Sequence, residues 1–308
     1  MTKDFFLFIQ KMKLGFFFLI YNNEPYMKIL PSIMEKIEKK YDVYYYFYEN
    51  NSKDKTAKEI RTFMKTRKGN FQCEILPNPK IFNGGILIER SRHMARLRNK
   101  LKKLCSKEVL ESFQYVFLVD SDVFFSSTTI DKMITSFQNH FDCVMLSTFG
   151  ICYLQYHRKK QVKNLSKFHY YDSLAFIAED GRSYKETKNR CLFKSCQLCQ
   201  NFLKRKTCRN FRKECLMEIN TSFEVQSAFG SMSLCKPSVF QIIDYNPTSS
   251  LACEHHDFCK KVQEYGKIIV DASIFSFITN PRLRNCKQLL SDLEQVEKEM
   301  EQTALKFN

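Results

Sequence analysis

Apolar and polar positions alternate regularly along the first half of the chain. Short apolar runs at residues 16–21, 43–48, 71–76, 115–119 and 144–147 predict five β-strands. The longer segments between them carry apolar residues three or four positions apart, which predicts helices. The first run is apolar throughout, as expected of a strand buried on both faces. This rhythm predicts an α/β fold with a mostly parallel sheet flanked by helices.

The rhythm stops near residue 150. Residues 182–216 are rich in Lys, Arg and Cys and follow no clean period, so we expect them to form an insertion. Regular patterning returns in the last third of the chain, and residues 291–308 predict a charged, peripheral helix. We therefore expect one domain over residues 1–290, built from the halves 16–150 and 151–290.

The charge of the chain narrows the choice of partners. A formal net charge of +16 attracts phosphorylated ligands, nucleic acid or acidic membranes. The basic clusters carry no nucleic-acid-binding motif, so no nucleic acid is expected as a partner. No apolar run approaches the ~20 residues that span a bilayer, and no signal peptide is recognisable. We expect a cytoplasmic protein, with peripheral contact to an acidic membrane left open.

The densest chemical signal is a pair of aspartates at the end of the fourth predicted strand. Asp120 and Asp122 flank Ser121 directly after the apolar run 115–119. Ligands of open α/β sheets bind at the carboxyl ends of strands, where this pair must lie. Two neighbouring carboxylates repel each other, and a hard cation such as Mn²⁺ or Mg²⁺ relieves that repulsion. The sequence therefore predicts a metal site that can grip a diphosphate group.

Other interpretations of the pair stay open at this point. One aspartate could cap the helix that follows. A nucleotidyl-type, Mg²⁺-dependent transferase would also need two carboxylates, although residues 16–30 lack the glycines of a phosphate loop. A basic, non-catalytic module that binds nucleic acid or a membrane surface would explain the charge but not the aspartates.

Two further segments resemble family 2 glycosyltransferases. Residues 49–56 resemble that family's D-D/N-G-S-x-D-x-T element, and Arg98-Asn99 resembles the A-R-N element that precedes its aspartate motif. The resemblance implies a GT-A (Rossmann-like) fold, a metal-dependent glycosyltransferase activity and a nucleotide-sugar donor. It also implies a set of donor-binding residues, namely Tyr21, Glu49, Asn50, Arg98, Asn99, Asp120 and Ser121.

A narrower resemblance runs through the second half. Residues 171–175, 179–181, 227–230 and 253–255 resemble segments of fungal capsule-associated mannosyltransferases. This implies that residues 151–290 bind a glycan or glycoconjugate acceptor and that the donor is GDP-mannose. UDP-sugars fit the remaining motifs equally well.

The segment 254–257 is the next densest chemical cluster. Glu254 or Asp257 could take the proton from the acceptor hydroxyl, and Asp180 is a further catalytic candidate. His255 could instead complete the metal shell, because imidazole is an acceptable ligand for Mn²⁺. A retaining reaction would need no free base, so the stereochemistry stays open.

Thirteen cysteines without a signal peptide indicate mostly reduced thiols. Five of them, including Cys215, lie close together in the predicted insertion and could form disulfides or stay free. Four of these five could instead bind a structural Zn²⁺, namely Cys191, Cys196, Cys199 and Cys208.

Overall fold

Eleven strands form a single sheet in the part of the chain that the structure describes. A computed structural model describes residues 11–75, 87–152, 169–170, 172, 174–183, 222–251 and 253–278. The strands are β1 Lys13–Ile20, β2 Asp42–Asn50, β3 Lys68–Glu74, β4 Tyr115–Asp120, β5 Val123–Phe124, β6 Cys143–Cys152, β7 His169–Tyr170, β8 Ile177–Ala178, β9 Ser222–Ser227, β10 Met232–Cys235 and β11 Lys267–Ile278.

The order along the sheet is β3-β2-β1-β4-β10-β6-β11-β9-β8. The first four strands are mutually parallel, as the βαβ rhythm predicts. Strand β10 then runs antiparallel between β4 and β6, and β6 is parallel to β11. Strands β9 and β8 extend the sheet by antiparallel pairing, while β5 pairs with β11 and β7 with β6.

Helices pack against this sheet, which confirms the predicted α/β class. They are α1 Glu24–Glu38, α2 Thr56–Met64, α3 Leu87–Lys102, α4 Lys107–Glu111, α5 Ser127–Asn139, α6 Pro237–Ile242 and α7 Glu254–Val262. Helix α5 begins at Ser127 because a capping box forms at its N-terminus. The Ser126 hydroxyl accepts the Thr129 N–H at 3.1 Å, and the Ser126 N–H donates back to the Thr129 hydroxyl, which is a capping box.

Stacked aromatic rings from neighbouring strands fill the core. Phe16 of β1 lies 4.6 Å from Phe117 of β4, and Phe18 lies 5.0 Å from Phe47 of β2, measured between ring centroids. After its first residue β1 is buried throughout, which confirms the two-sided burial expected from its apolar run. This rigid layer fixes the strand ends from which the candidate site is built.

The five strands predicted in the first half are all present, with boundaries shifted by a few residues. The largest of these shifts is at β6, which begins at Cys143 and ends at Cys152 rather than spanning 144–147. The four clustered cysteines of the proposed zinc site and the helix at 291–308 lie outside the described residues. The same holds for the insertion at 182–216 apart from its first two residues.

Two further expectations concern the environment of the chain. Among the described residues, no helix combines the length and the apolar character that crossing a membrane requires. Six cysteines in the described part of the chain are free thiols, namely Cys73, Cys105, Cys143, Cys235, Cys253 and Cys259.

Candidate active site

The predicted metal ligands Asp120 and Asp122 lie at the carboxyl edge of the parallel strands. Asp120 is the last residue of β4, and its backbone N–H donates to the carbonyl of Ser231 at 2.9 Å. Asp122 lies in the short turn between β4 and β5. Both side chains are only partly exposed, 24% in the case of Asp120. The pair thus occupies the edge at which open α/β sheets bind ligands.

This site is short of positive charge. Burial and then the neighbouring Asp120 raise the pKa of Asp122 to about 7. Burial also raises the pKa of Asp120, although Arg98 opposes the shift. Carboxylates that resist ionisation for these reasons favour a cation beside them, and their oxygens suit Mg²⁺ or Mn²⁺. The donor set therefore fits a hard divalent cation.

The residues that the structure describes offer only part of a coordination shell. Among the described residues there is no group of three or more His, Cys, Asp or Glu side chains that could hold a metal ion. His255 therefore does not join Asp120 and Asp122 in such a group. A cation bound by the two aspartates would take its other ligands from water and substrate, as Mg²⁺ commonly does.

Arg98 of α3 links the aspartate pair to α7. Its Nη2 lies 3.2 Å from Asp120 Oδ1, and its Nε lies 3.1 Å from Glu254 Oε1. The guanidinium also lies 4.9 Å from the ring centroid of Phe229 and 5.7 Å from that of Tyr245. Burial disfavours the charge on Arg98, but Asp120, Tyr245 and Glu254 outweigh it and raise the pKa of Arg98. Arg98 thus lies beside Asp120 and is paired with carboxylates of the protein itself, and its role in donor binding stays a prediction.

Glu254 has a different environment from that expected of a catalytic base. Burial opposes its ionisation, but His255 and Arg98 together lower the pKa of Glu254. Burial followed by Arg98 lowers the pKa of His255 to about 3, so His255 is neutral and Arg98 is the effective counter-charge. A buried carboxylate with a low pKa is a poor proton acceptor. In the described structure Glu254 pairs with Arg98, and its role as the base stays a prediction.

The His255 ring serves as packing in this arrangement. It stacks on Phe229 with the ring centroids 4.2 Å apart, and its Nε2 lies 3.6 Å from Glu254 Oε1. Its Nδ1 is buried with no hydrogen-bond partner in the described part of the chain.

Asp257 and Asp180 lie apart from this cluster. Asp257 accepts a hydrogen bond from the Asn246 amide at 3.1 Å. Asp180 lies in the exposed turn after β8 and pairs with Arg182 at 2.5 Å, and this hydrogen bond lowers the pKa of Asp180. No contact between the described residues joins either aspartate to Arg98 or Asp120. The described contacts thus do not link these two candidates to Asp120, and their catalytic roles stay predictions.

The predicted base-binding residues lie at the end of the neighbouring strand β2. Glu49 is buried, and its Oε1 accepts the backbone N–H of Ser52 at 2.5 Å. The amide nitrogen of Asn50 is buried and has no partner within the described residues. Tyr21 follows β1 directly and is half-buried. These three candidates therefore lie around the ends of β1 and β2.

Two other predicted donor-binding residues, Asn99 and Ser121, form hydrogen bonds within the protein. The Asn99 amide donates to the Tyr245 carbonyl at 2.8 Å, and its oxygen accepts the Tyr245 N–H at 2.9 Å. Asn99 therefore holds the segment that carries Tyr245, and we expect it to act through that segment. The Ser121 carbonyl accepts a hydrogen bond from Asn23 Nδ2, which ties the aspartate turn to α1.

Asp172 is a site residue that the sequence reasoning did not select. Its Oδ2 accepts the backbone N–H groups of Phe229 and Gly230, each at 2.8 Å. Burial raises the pKa of Asp172 to about 6 against these two hydrogen bonds, with Asp120 and Glu254 adding to the rise. The sequence carries part of this signal, because residues 171–175 and 227–230 resemble two separate segments of the same mannosyltransferases. Their contact is visible only in three dimensions.

Comparisons with known proteins give structural neighbours only. No protein-family model matches the chain, and no curated protein sequence matches it significantly. The crystal structure of S. aureus TarS aligns at 13% identity and a TM-score of 0.44, covering 87% of this chain and 37% of that one. TarS 1-349 in complex with UDP-GlcNAc aligns at 12% identity and a TM-score of 0.44, covering 87% and 59% of the two chains.

A third similar structure is the mannosyltransferase PcManGT from Pyrobaculum calidifontis in complex with GDP-Man and Mn²⁺. It aligns at 9% identity and a TM-score of 0.44, covering 87% of this chain and 56% of that one. The chain spans between 37% and 65% of the length of the TarS chains it matches. Conclusions about chemistry therefore rest on the residues of the site itself.

Proposed function

We propose that this chain is a metal-dependent glycosyltransferase that transfers a sugar from a nucleotide-diphosphate sugar to a glycan or glycoconjugate. The carboxylate pair Asp120 and Asp122, short of positive charge at the edge of the sheet, carries this proposal. Such a pair favours a cation that arrives with a polyphosphate, because phosphate oxygens complete its coordination.

The strand register supports a nucleotide lying across this edge. Leu19 of β1 pairs with Asp120 of β4, and Ile20 pairs with Glu49 of β2. Glu49 and Asp120 therefore flank the end of β1, about 10 Å apart at the usual spacing of strands. In this proposal the base lies near Glu49 and Asn50, and the diphosphate lies near Asp120.

The roles of the charged residues follow from their contacts. Asp120 and Asp122 would hold Mn²⁺ or Mg²⁺, which when bound stabilises the negative charge that develops on the leaving diphosphate. Arg98 orients Asp120, and Glu254 in turn holds Arg98. Because Arg98 is locked between two carboxylates, we assign it a positioning role.

Asp172 replaces Glu254 as the candidate base for an inverting reaction. A carboxylate with a pKa of about 6 is both ionised near neutral pH and basic enough to accept a hydroxyl proton. Both of its backbone hydrogen bonds fall on Oδ2 and hold the group in place. The anomeric configuration of the product tests this assignment, since a retaining reaction needs no such base.

The proposed donor is a nucleotide-diphosphate sugar. The motifs around Asp120 suit UDP- and GDP-sugars alike, and the resemblance of residues 171–175 and 227–230 to capsule-associated mannosyltransferases favours GDP-mannose. The acceptor is proposed to bind on the side formed by residues 151–290.

The test is nucleoside-diphosphate release from a panel of UDP- and GDP-sugars with Mn²⁺, Mg²⁺ or EDTA, beside an Asp122→Asn variant. We expect slow release from one donor that needs the metal and falls at least ~100-fold in the variant, about 3 kcal/mol of lost stabilisation. An Asp180→Asn variant is the matched control, because Asp180 lies apart from the site. Release that is insensitive to EDTA and to Asp122→Asn would contradict the proposal.

A second candidate is a non-catalytic module that binds nucleic acid or an acidic membrane, and the net charge of +16 favours it. It predicts salt-sensitive binding to polyanions that persists in the Asp122→Asn variant. Such binding with no donor hydrolysis and no stabilisation by any nucleotide sugar would favour this candidate instead.

A further inference from the structure

Two buried oxygen atoms beside the aspartate turn have no hydrogen-bond partner among the described residues. They are the hydroxyl oxygen of Tyr26, a residue that is 0% exposed, and Oδ1 of Asn23, a residue that is 5% exposed. Tyr26 is in the first turn of α1, and Asn23 occupies the N-cap position three residues earlier without a side-chain capping hydrogen bond. Buried polar groups are nearly always paired, so two orphans one turn apart require an explanation.

Contacts place both residues against the segment that carries Asp122. The Asn23 amide nitrogen donates to the Ser121 carbonyl. Because a carbonyl can only accept, this bond fixes the orientation of the amide and leaves Oδ1 as the unpaired atom. The Tyr26 ring meets Phe124 edge-on, with 5.7 Å between the centroids. Tyr26 and Asn23 therefore bracket the turn from Ser121 to Phe124.

The charges around Tyr26 indicate what its hydroxyl faces. Burial raises the pKa of Tyr26 well above its ordinary value, and the carboxylates of Asp122 and Asp120 raise it further. The hydroxyl therefore keeps its proton and can both donate and accept a hydrogen bond. Because the hydroxyl lies near these carboxylates, we expect its missing hydrogen-bond partner to belong to a ligand that the carboxylates bind.

We propose that Tyr26 and Asn23 form the outer hydrogen-bonding shell of the cation held by Asp120 and Asp122. This inference rests on the proposed function. A hard cation keeps several of its waters, and those waters can only donate. The Asn23 oxygen and the Tyr26 hydroxyl oxygen supply buried acceptors for them. Both act as positioning residues, since neither touches the metal.

Tyr26→Phe tests this proposal, with Tyr45→Phe as the matched control. Tyr45 is another buried tyrosine, and its hydroxyl donates to Glu38 at 2.6 Å in a separate part of the sheet. Mn²⁺ alone is titrated into each full-length protein and followed by calorimetry and by the EPR signal of free Mn²⁺. Thermal unfolding without metal is measured in parallel.

We expect opposite patterns in the two variants. Tyr26→Phe should weaken Mn²⁺ binding by about 10-fold, as loss of an outer-shell partner usually does, without lowering the metal-free melting temperature. Tyr45→Phe should lower that temperature and leave Mn²⁺ affinity unchanged. The first result cannot come from a merely structural role of Tyr26.

Asp122→Asn separates this inference from the proposed function. If Mn²⁺ binding is lost in Asp122→Asn but is unchanged in Tyr26→Phe, the outer-shell role is wrong and the metal site stands. If the wild-type protein does not bind Mn²⁺, or binds it equally well in Asp122→Asn, both the metal site and its outer shell are wrong.

Discussion

Asp122 is more costly to ionise in the folded chain than in water. Its pKa of about 7, against an ordinary value of 3.8, means that the folded state binds a proton more tightly than the unfolded state does. Stability therefore falls as pH rises from about 4 to 7, and above pH 7 the full penalty is present in the absence of metal. Ligand-binding carboxylates often carry such a cost, because their counter-charge arrives only with the ligand.

This cost gives a prediction for the metal-free protein. Asp122→Asn replaces the carboxylate with a neutral group of the same shape, so it should raise the melting temperature at pH 8. The gain should shrink between pH 7 and 4, where the wild-type carboxylate takes up its proton. Differential scanning calorimetry in EDTA across this pH range measures both effects. A variant less stable than the wild type at pH 8 would contradict the assigned environment.

The buried ion pairs of Arg98 give a second prediction at this scale. Arg98→Met leaves the Glu254 carboxylate buried without its guanidinium, which typically costs ~3–5 kcal/mol. Adding Glu254→Gln removes that stranded charge, so the double variant should be more stable than Arg98→Met alone. Chemical denaturation of the two single variants, the double variant and the wild type completes the cycle. Additive effects would argue against a direct pair.

The residue scale also shows what the sequence could predict about the site. Asp120, Asp122 and Arg98 were identifiable because each is fixed by its own element, either a strand end or the buried stripe of a helix. The proposed base, Asp172, could not be identified in the same way. Glu254 has a suitable position in sequence, yet its environment depends on Arg98 from a distant helix. Asp172 depends on the Phe229–Gly230 backbone, a pairing that no local pattern encodes.

At the element scale, the turn between β9 and β10 supports both the sheet and Asp172. Gly230 has a φ of +63°, and a Cβ there would lie 2.0 Å from the Thr148 carbonyl oxygen. Its N–H donates to Asp172. Only glycine fits this close approach of two backbone segments.

Gly230→Ala should therefore lower the free energy of unfolding much more than Gly181→Ala, although both glycines have a positive φ. Gly181 has a φ of +85°, and its nearest contact to an added Cβ is 3.8 Å, so Gly181→Ala should cost only the ~1 kcal/mol of an unfavourable backbone conformation. Urea denaturation of both variants gives the comparison. Equal losses of stability would contradict the close approach seen at Gly230.

Strands were predicted correctly where a local apolar run marks them. They were missed where only their pairing with distant strands defines them. The apolar runs gave β1, β2, β3, β4 and β6, because a buried strand needs such a run whatever its partners are. The short strands β5, β7 and β8 offer too few residues to show a period. The antiparallel position of β10 between β4 and β6 cannot be read from local periodicity, since sequence order does not specify strand order.

At the scale of the whole molecule, one continuous sheet joins the two predicted halves. Strand β10 comes from the second half, and it pairs on both sides with strands of the first half. The residues that build the site come from both halves as well, with Arg98 and Asp120 from one and Glu254 from the other.

We therefore expect a single cooperative unfolding transition. Near-UV circular dichroism, which reports aromatic packing, and far-UV circular dichroism, which reports secondary structure, should give the same midpoint. Adding a cognate nucleotide sugar with Mn²⁺ at 100 times its dissociation constant should stabilise the fold by ~2.7 kcal/mol. Two separated midpoints, of which only one responds to the donor, would show that the halves unfold independently.

The position of β10 also bears on how the chain folds during its synthesis. Strands β1 to β4 leave the ribosome early, but the edge of β4 stays unpaired until residues 232–235 have been made. The backbone of Asp120 gains its bond to Ser231 at the same late stage. An exposed apolar strand edge invites misassociation during that interval. Expression of this protein should accordingly benefit from slower translation or from chaperones that shield nascent chains.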